Sequence, residues 1–137
     1  MTGRGSHPWG AALAVAAISL LLAACAPGPA EEDSERVVGR FQHALADGDL
    51  FEACDQLTDH LKDSLAREDG DTCPESLAEL RLSGLGRPQR SRVFTTSAIV
   101  TVRGGGDAFL DETPSGWRIS AAGCTRSGDR YDCRLED

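Results

Sequence analysis

The residues in this chain best able to make covalent bonds are its five cysteines: Cys25, Cys54, Cys73, Cys124 and Cys133. Cys54 and Cys73 are 19 positions apart, and Cys124 and Cys133 are 9 apart. No Cys-x-x-Cys occurs, which argues against zinc and against dithiol redox chemistry. An even number of cysteines in an exported domain reads as two disulfides, because thiols outside the cytoplasm are oxidised. Three pairings of four cysteines are possible. We expect Cys54–Cys73 and Cys124–Cys133, because each joins neighbours within one half of the chain. His43 and His60 stand beside acidic residues and form no metal-spaced pair. Asp47, Asp49, Glu52 and Asp55 lack the alternating spacing and the twelfth-position glutamate of a calcium loop, and helix capping accounts for two of them. Gly104, Gly105 and Gly106 lack the Gly-Lys-Ser/Thr and the helix start of a phosphate loop, so they read as a hairpin turn. No catalytic constellation, metal site or cofactor is expected from these residues.

Cys25 stands apart from the other four. Residues 11–22 form an apolar run, broken only by Ser19, behind Arg4. Such a run spans about 18 Å as a helix, short of a hydrocarbon core of roughly 30 Å. It therefore suits the apolar region of a signal peptide better than a transmembrane helix. The sequence Leu22-Ala23-Ala24-Cys25 resembles the lipobox of bacterial lipoproteins. That resemblance implies that Leu22, Ala23 and Ala24 are recognised by a signal peptidase. It also implies that the Cys25 thiol takes a diacylglyceryl group and becomes the mature N-terminus. Residues 1–24 are then a discarded leader, 25–33 a lipidated cysteine with an acidic, proline-rich tether, and 34–137 one domain. Its place would be the extracytoplasmic face of the cell membrane, and two acyl chains suffice to hold it there.

Net charge over the whole chain is −8. Residues 26–79 carry 15 acidic and 4 basic side chains, whereas residues 80–137 carry 7 acidic and 9 basic. Like charge makes nucleic acid or an anionic membrane surface a poor partner for the acidic half. An acidic, solvated face that keeps the domain soluble accounts for the imbalance. Aromatic residues beyond the leader are only Phe41, Phe51, Phe94, Phe109, Trp117 and Tyr131. A core this poor in large side chains gains from covalent staples.

The elements that must hold these residues come in two blocks. Val37, Val38, Phe41, Ala44 and Leu45 recur at helical spacing after a cap at Asp33 or Ser34, and Gly48 ends that helix. A second helix capped by Asp49 carries Leu50, Phe51, Ala53, Cys54 and Leu57 inward and continues, kinked near Thr58, through Leu61 and Leu65. Thr72 or Cys73 with Pro74 opens a third, with Leu77, Leu80 and Leu82 on its apolar side. From Arg90 onward the pattern becomes short β-rich runs at 92–95, 98–102, 108–110, 117–121 and 131–135, separated by turn residues.

Helices followed by an antiparallel meander make an α+β domain. The chain resembles the nuclear-transport-factor-two-like (cystatin-like) families, and more closely small actinobacterial lipoproteins of that class. The matching features are residues 38–48 (VGRFQHALADG), Gly116-Trp117-Arg118, and Ala121-Ala122-Gly123-Cys124. The resemblance implies N-terminal helices packed on a curved antiparallel sheet to form a cone. Its motifs are structural and name no chemistry, so the expected function is a non-catalytic binding or accessory module of the cell envelope. Its partner would be an envelope protein or a small ligand, beyond the membrane itself. The alternative within this fold class is a small enzyme like ketosteroid isomerase, with a pocket inside the cone. The only tyrosine, Tyr131, lies between Arg130 and Asp132, and no acid is clearly aimed at a pocket, so the isomerase residues do not carry over. Cystatin-like protease inhibition would need wedge loops with no counterpart here.

Overall fold

In the computed structural model the described residues are 2, 26–67, 70–84 and 86–136. Leu22, Ala23, Ala24 and Cys25 lie outside them. Four helices precede five strands: α1 (Pro29–Asp47), α2 (Leu50–Asp55), α3 (Asp59–Arg67), α4 (Cys73–Leu80), then β1 (Arg87–Phe94), β2 (Ser97–Arg103), β3 (Gly106–Thr113), β4 (Gly116–Ser127) and β5 (Arg130–Asp132). The strands form one antiparallel meander in the order β1-β2-β3-β4-β5. The architecture is α+β. Among the described residues no helix is long and apolar enough to cross a membrane.

Helix α1 starts earlier than the sequence suggested. Gly28 is its extended N-cap and Pro29 its first residue, so helix takes the second half of the stretch 25–33 expected to be tether. The reason is local: proline is preorganised for the first turn, and Glu31 and Glu32 oppose the positive end of the helix dipole. Ser34 is no cap. It is buried, its hydroxyl donating to the Glu31 carbonyl at 2.9 Å and lying 2.7 Å from the Ser91 hydroxyl of β1. Gly48 closes α1 in the left-handed conformation, at φ 73°.

The long second helix is two short ones. The Asp49 side chain caps α2 by accepting the Glu52 N–H at 3.1 Å. The chain then leaves the helix at Gln56 to make a short parallel bridge between Leu57 and Ile119 of β4. Ile119 N–H donates to Gln56 O at 2.8 Å and Thr58 N–H to Ile119 O at 2.9 Å. Thr58 Oγ1 then accepts the Leu61 N–H and restarts the chain as α3. Phe51, expected inward, is 77 % exposed. Leu50, Ala53, Cys54 and Leu57 share one helical face, and Phe51 is about 100° around the helix from its centre.

Helix α4 begins with a reciprocal cap in which Thr72 N–H donates to Glu75 Oε2 at 2.7 Å. These bonds with Thr72, first through its backbone N–H and then its hydroxyl, hold the Glu75 carboxyl below its usual 4.5. A depressed carboxyl stabilises the fold above the unfolded value and loses that contribution as pH falls through the folded one. Glu75→Gln should therefore flatten the fall in stability between about pH 5 and pH 3, read by urea unfolding at stepped pH. An unchanged slope in the variant would contradict the assignment.

Every strand except β5 is longer than its apolar run, because pairing carries it on to the next turn. Arg92, Val93 and Phe94 stay in β1, but Thr95 turns at φ 53° rather than extending the strand. The last strand is shorter than expected: β5 stops at Asp132, and Leu135 returns as a separate bridge to Ala122. Register shifts at Pro88/Arg90, Asp107/Phe109 and Phe109/Leu110 interrupt the regular pairing. The concave face buries Val100, Leu110, Trp117 and Ile119 against Val38, Phe41, Leu57, Leu61 and Leu77. Helix α1 also covers the free edge of β1: the Glu35 carboxylate accepts the Ser91 N–H at 2.8 Å, and Gln42 Oε1 accepts the Gly86 N–H at 3.2 Å.

Two disulfides complete the domain. Cys54 of α2 bonds to Cys73 at the start of α4, and Cys124 of β4 bonds to Cys133 just past β5. Between them they use all four cysteines of the domain.

Candidate functional site

The concave side of the sheet is filled by side chains, with Phe41, Leu57, Leu110 and Ile119 fully buried at its centre. The larger hollows open around its rim. One, of about 700 Å³, runs between α2, α3 and the β3–β4 turn and is walled by Glu52, Asp55, Asp59, Lys62, Ser115 and Arg118. A second, of about 420 Å³, lies between α2 and α4 beside Phe51 and Pro74, and a smaller one of about 240 Å³ opens beside the β2–β3 turn.

The larger groove carries most of the charge. Lys62 Nζ lies 2.8 Å from Asp59 Oδ1, one helical turn apart on α3. The Lys62 ammonium lowers the Asp59 carboxyl from its usual 3.8 by hydrogen bonding and charge, and the Arg118 guanidinium adds to the effect. Glu52 accepts from Gln56 Nε2 at 2.8 Å. Arg118, in the groove wall, donates to the Trp117 carbonyl at 2.7 Å. The carboxyl whose ionisation is perturbed is thus pushed toward the charged form, away from neutral pH. The groove suits the binding of polar or ionic groups, with anionic and cationic side chains within one span.

Of the residues singled out in the sequence, Glu52 and Asp55 wall this groove. His43 is exposed and 3.3 Å from Asp47, and Asp49 is spent on the α2 cap. Among the described residues no group of three or more His, Cys, Asp or Glu side chains is placed to hold a metal ion. Gly104 and Gly106 make the β2–β3 turn with φ 81° and 75°. A side chain at Gly106 would meet the Cys124 backbone at 2.8 Å, so the turn needs glycine both for conformation and for room. Tyr131 packs edge-on against Phe109, ring centres 4.8 Å apart, on the outer face of the sheet rather than in its concavity.

Sequence reasoning missed Asp59, Lys62 and Arg118 as a group. The Asp59–Lys62 spacing carries a signal for an i,i+3 pair. Nothing local signals Arg118, which arrives only because the Leu57–Ile119 bridge brings β4 beside α3. No protein-family model, curated protein or solved structure matches this chain.

Proposed function

We propose that the protein is a lipoprotein anchored through Cys25 to the extracytoplasmic face of a bacterial cell membrane. Its domain serves there as a non-catalytic binding or accessory module of the envelope. The observation that carries this reading is the disulfide pairing. Cys54, Cys73, Cys124 and Cys133 are consumed pairwise, which leaves Cys25 as the one thiol outside the bonded domain, directly after an apolar run and Leu22-Ala23-Ala24. An exported chain with two structural disulfides and one exposed odd thiol would be prone to mispairing, and acylation removes that hazard. The four helices on a five-stranded meander support a domain of the nuclear-transport-factor-two-like cone type. The charged groove beside α3 is the place we assign to a polar ligand or an envelope partner.

The test is the mass of the N-terminal peptide from the membrane fraction. A peptide beginning at Cys25 and carrying a diacylglyceryl group is the expected result. Recovery of an intact Met1, or of Cys25 with a free thiol, would overturn the reading.

A further inference from the structure

The outer face of β1 and β2 differs from the rest of this acidic protein. Arg87, Arg90 and Arg92 of β1 and Arg103 of β2 are all exposed on it. Among the described residues none of the four makes an ion pair with a carboxylate. Arg87 and Arg103 are direct cross-strand partners, an arrangement in which like charges repel. The Gln89 amide, oriented so that its oxygen accepts from Arg103 at 2.7 Å, offers a dipole there and no countercharge. Phe94, 52 % exposed, ends the same strand on the same face, and Ile99 lies beside Arg92. On β3, Asp107 and Asp111 bound the patch away from the free edge.

Helix α1 sets where the chain that leads back to Cys25 leaves the domain. The Ser34–Ser91 contact sets the first turns of α1 beside the far half of β1, so Gly28 and Phe94 lie at the same end of the domain. Only residues 26–28 separate Cys25 from the helix. Such a spacer reaches at most about 14 Å, against roughly 10 Å between a sheet and the layer packed on it. A lipid on Cys25 therefore keeps the β1 edge within reach of the headgroups.

We infer that the outer face of β1–β2 lies on the bilayer and binds anionic phospholipid headgroups through Arg87, Arg90, Arg92 and Arg103, with Phe94 entering the interface. This rests on the Cys25 anchor proposed above. Arginines near an anionic leaflet each strengthen binding about five-fold, and an aromatic ring settles at the headgroup boundary. The acidic helices α2, α3 and α4 then face away from the membrane, and the groove beside α3 is left open to solvent. Charge segregation orients the domain, and the lipid only tethers it.

The experiment uses the lipidated protein in vesicles of phosphatidylcholine alone or with about 30 % phosphatidylglycerol. Arginine labelling by phenylglyoxal is read by peptide mass, with Arg40 and Arg67 on the helices as internal references. Arg90 and Arg92 should label at least five-fold more slowly in the anionic vesicles, the references should not change, and about 0.5 M salt should abolish the difference. With Arg90→Glu and Arg92→Glu together, both exposed positions, protection of Arg87 and Arg103 should vanish. Equal labelling in the two compositions while the Cys25 peptide carries lipid would overturn the membrane face alone. Protection of Arg67 in place of the sheet arginines would overturn it too. A Cys25 peptide without lipid in the same digest would overturn the anchor instead.

Discussion

Reduction of both disulfides is expected to lower the unfolding free energy by about 6 kcal/mol, from about 3 kcal/mol for each cross-link on the chain-entropy account. The two links close separate loops, of 19 and 9 residues, so their effects should add. A domain this size has roughly 5–15 kcal/mol in all, so the reduced protein would be at or near its limit. The fold explains why so much rests on sulfur. Phe41 and Trp117 are the aromatic side chains in the buried core, and the remainder is Leu, Val, Ile and Ala. Cys54–Cys73 fastens the short α2 to α4 across a loop, and Cys124–Cys133 pins a three-residue strand that could not hold its register alone. Denaturant unfolding with and without reductant measures the difference. Replacing Cys54 and Cys73 together by Ala should give about half of it. A total change below about 1 kcal/mol would mean that burial alone sustains the domain.

Phe41→Ala is expected to cost about 4 kcal/mol, while Phe51→Ala stays within about 0.5 kcal/mol. Phe41 is 1 % exposed and Phe51 is 77 % exposed, although both stand in helices of the same half. Phe41 is the largest side chain buried without contact to solvent, at the centre of α1 where the helix crosses the concave sheet. Truncation there removes transfer energy and leaves a cavity that the bonded framework cannot collapse to fill. At Phe51 there is no cavity to leave. Midpoints of chemical denaturation for the two variants form the comparison, and equal losses would show that α2 is packed differently from the arrangement described.

The difference between those two phenylalanines also marks what a sequence can and cannot convey. Val37, Val38, Phe41 and Ala44 repeat on a helical period over about two turns, so α1 and its buried face were legible. Phe51 sits in a helix of six residues, too short for periodicity to separate a core position from a flank. The break at Gln56 to Thr58 was invisible for a related reason: its cause is a backbone bridge to Ile119, far along the chain. The disulfide partners were legible because proximity in sequence coincides here with proximity in space. The arginine face was not. A register shift between Pro88 and Arg90 disturbs the alternation that would have placed Arg87, Arg90 and Arg92 on one side, and composition alone gave no reason to group them with Arg103. The groove beside α3 is assembled from three separate segments, and only the Asp59–Lys62 pair is local.

Glu35 takes a backbone N–H that β1 would otherwise present along its open edge, and Gln42 takes that of Gly86 immediately before the strand. Proteins confined to a surface meet one another at concentrations far above those in free solution, and always in similar orientations. A naked strand edge under those conditions would template lateral growth from one molecule to the next, as fibrils do. By spending one helix side chain on that edge and one just before it, and by keeping β5 at the other end to three residues, the chain can be packed densely on a surface and remain a population of separate molecules.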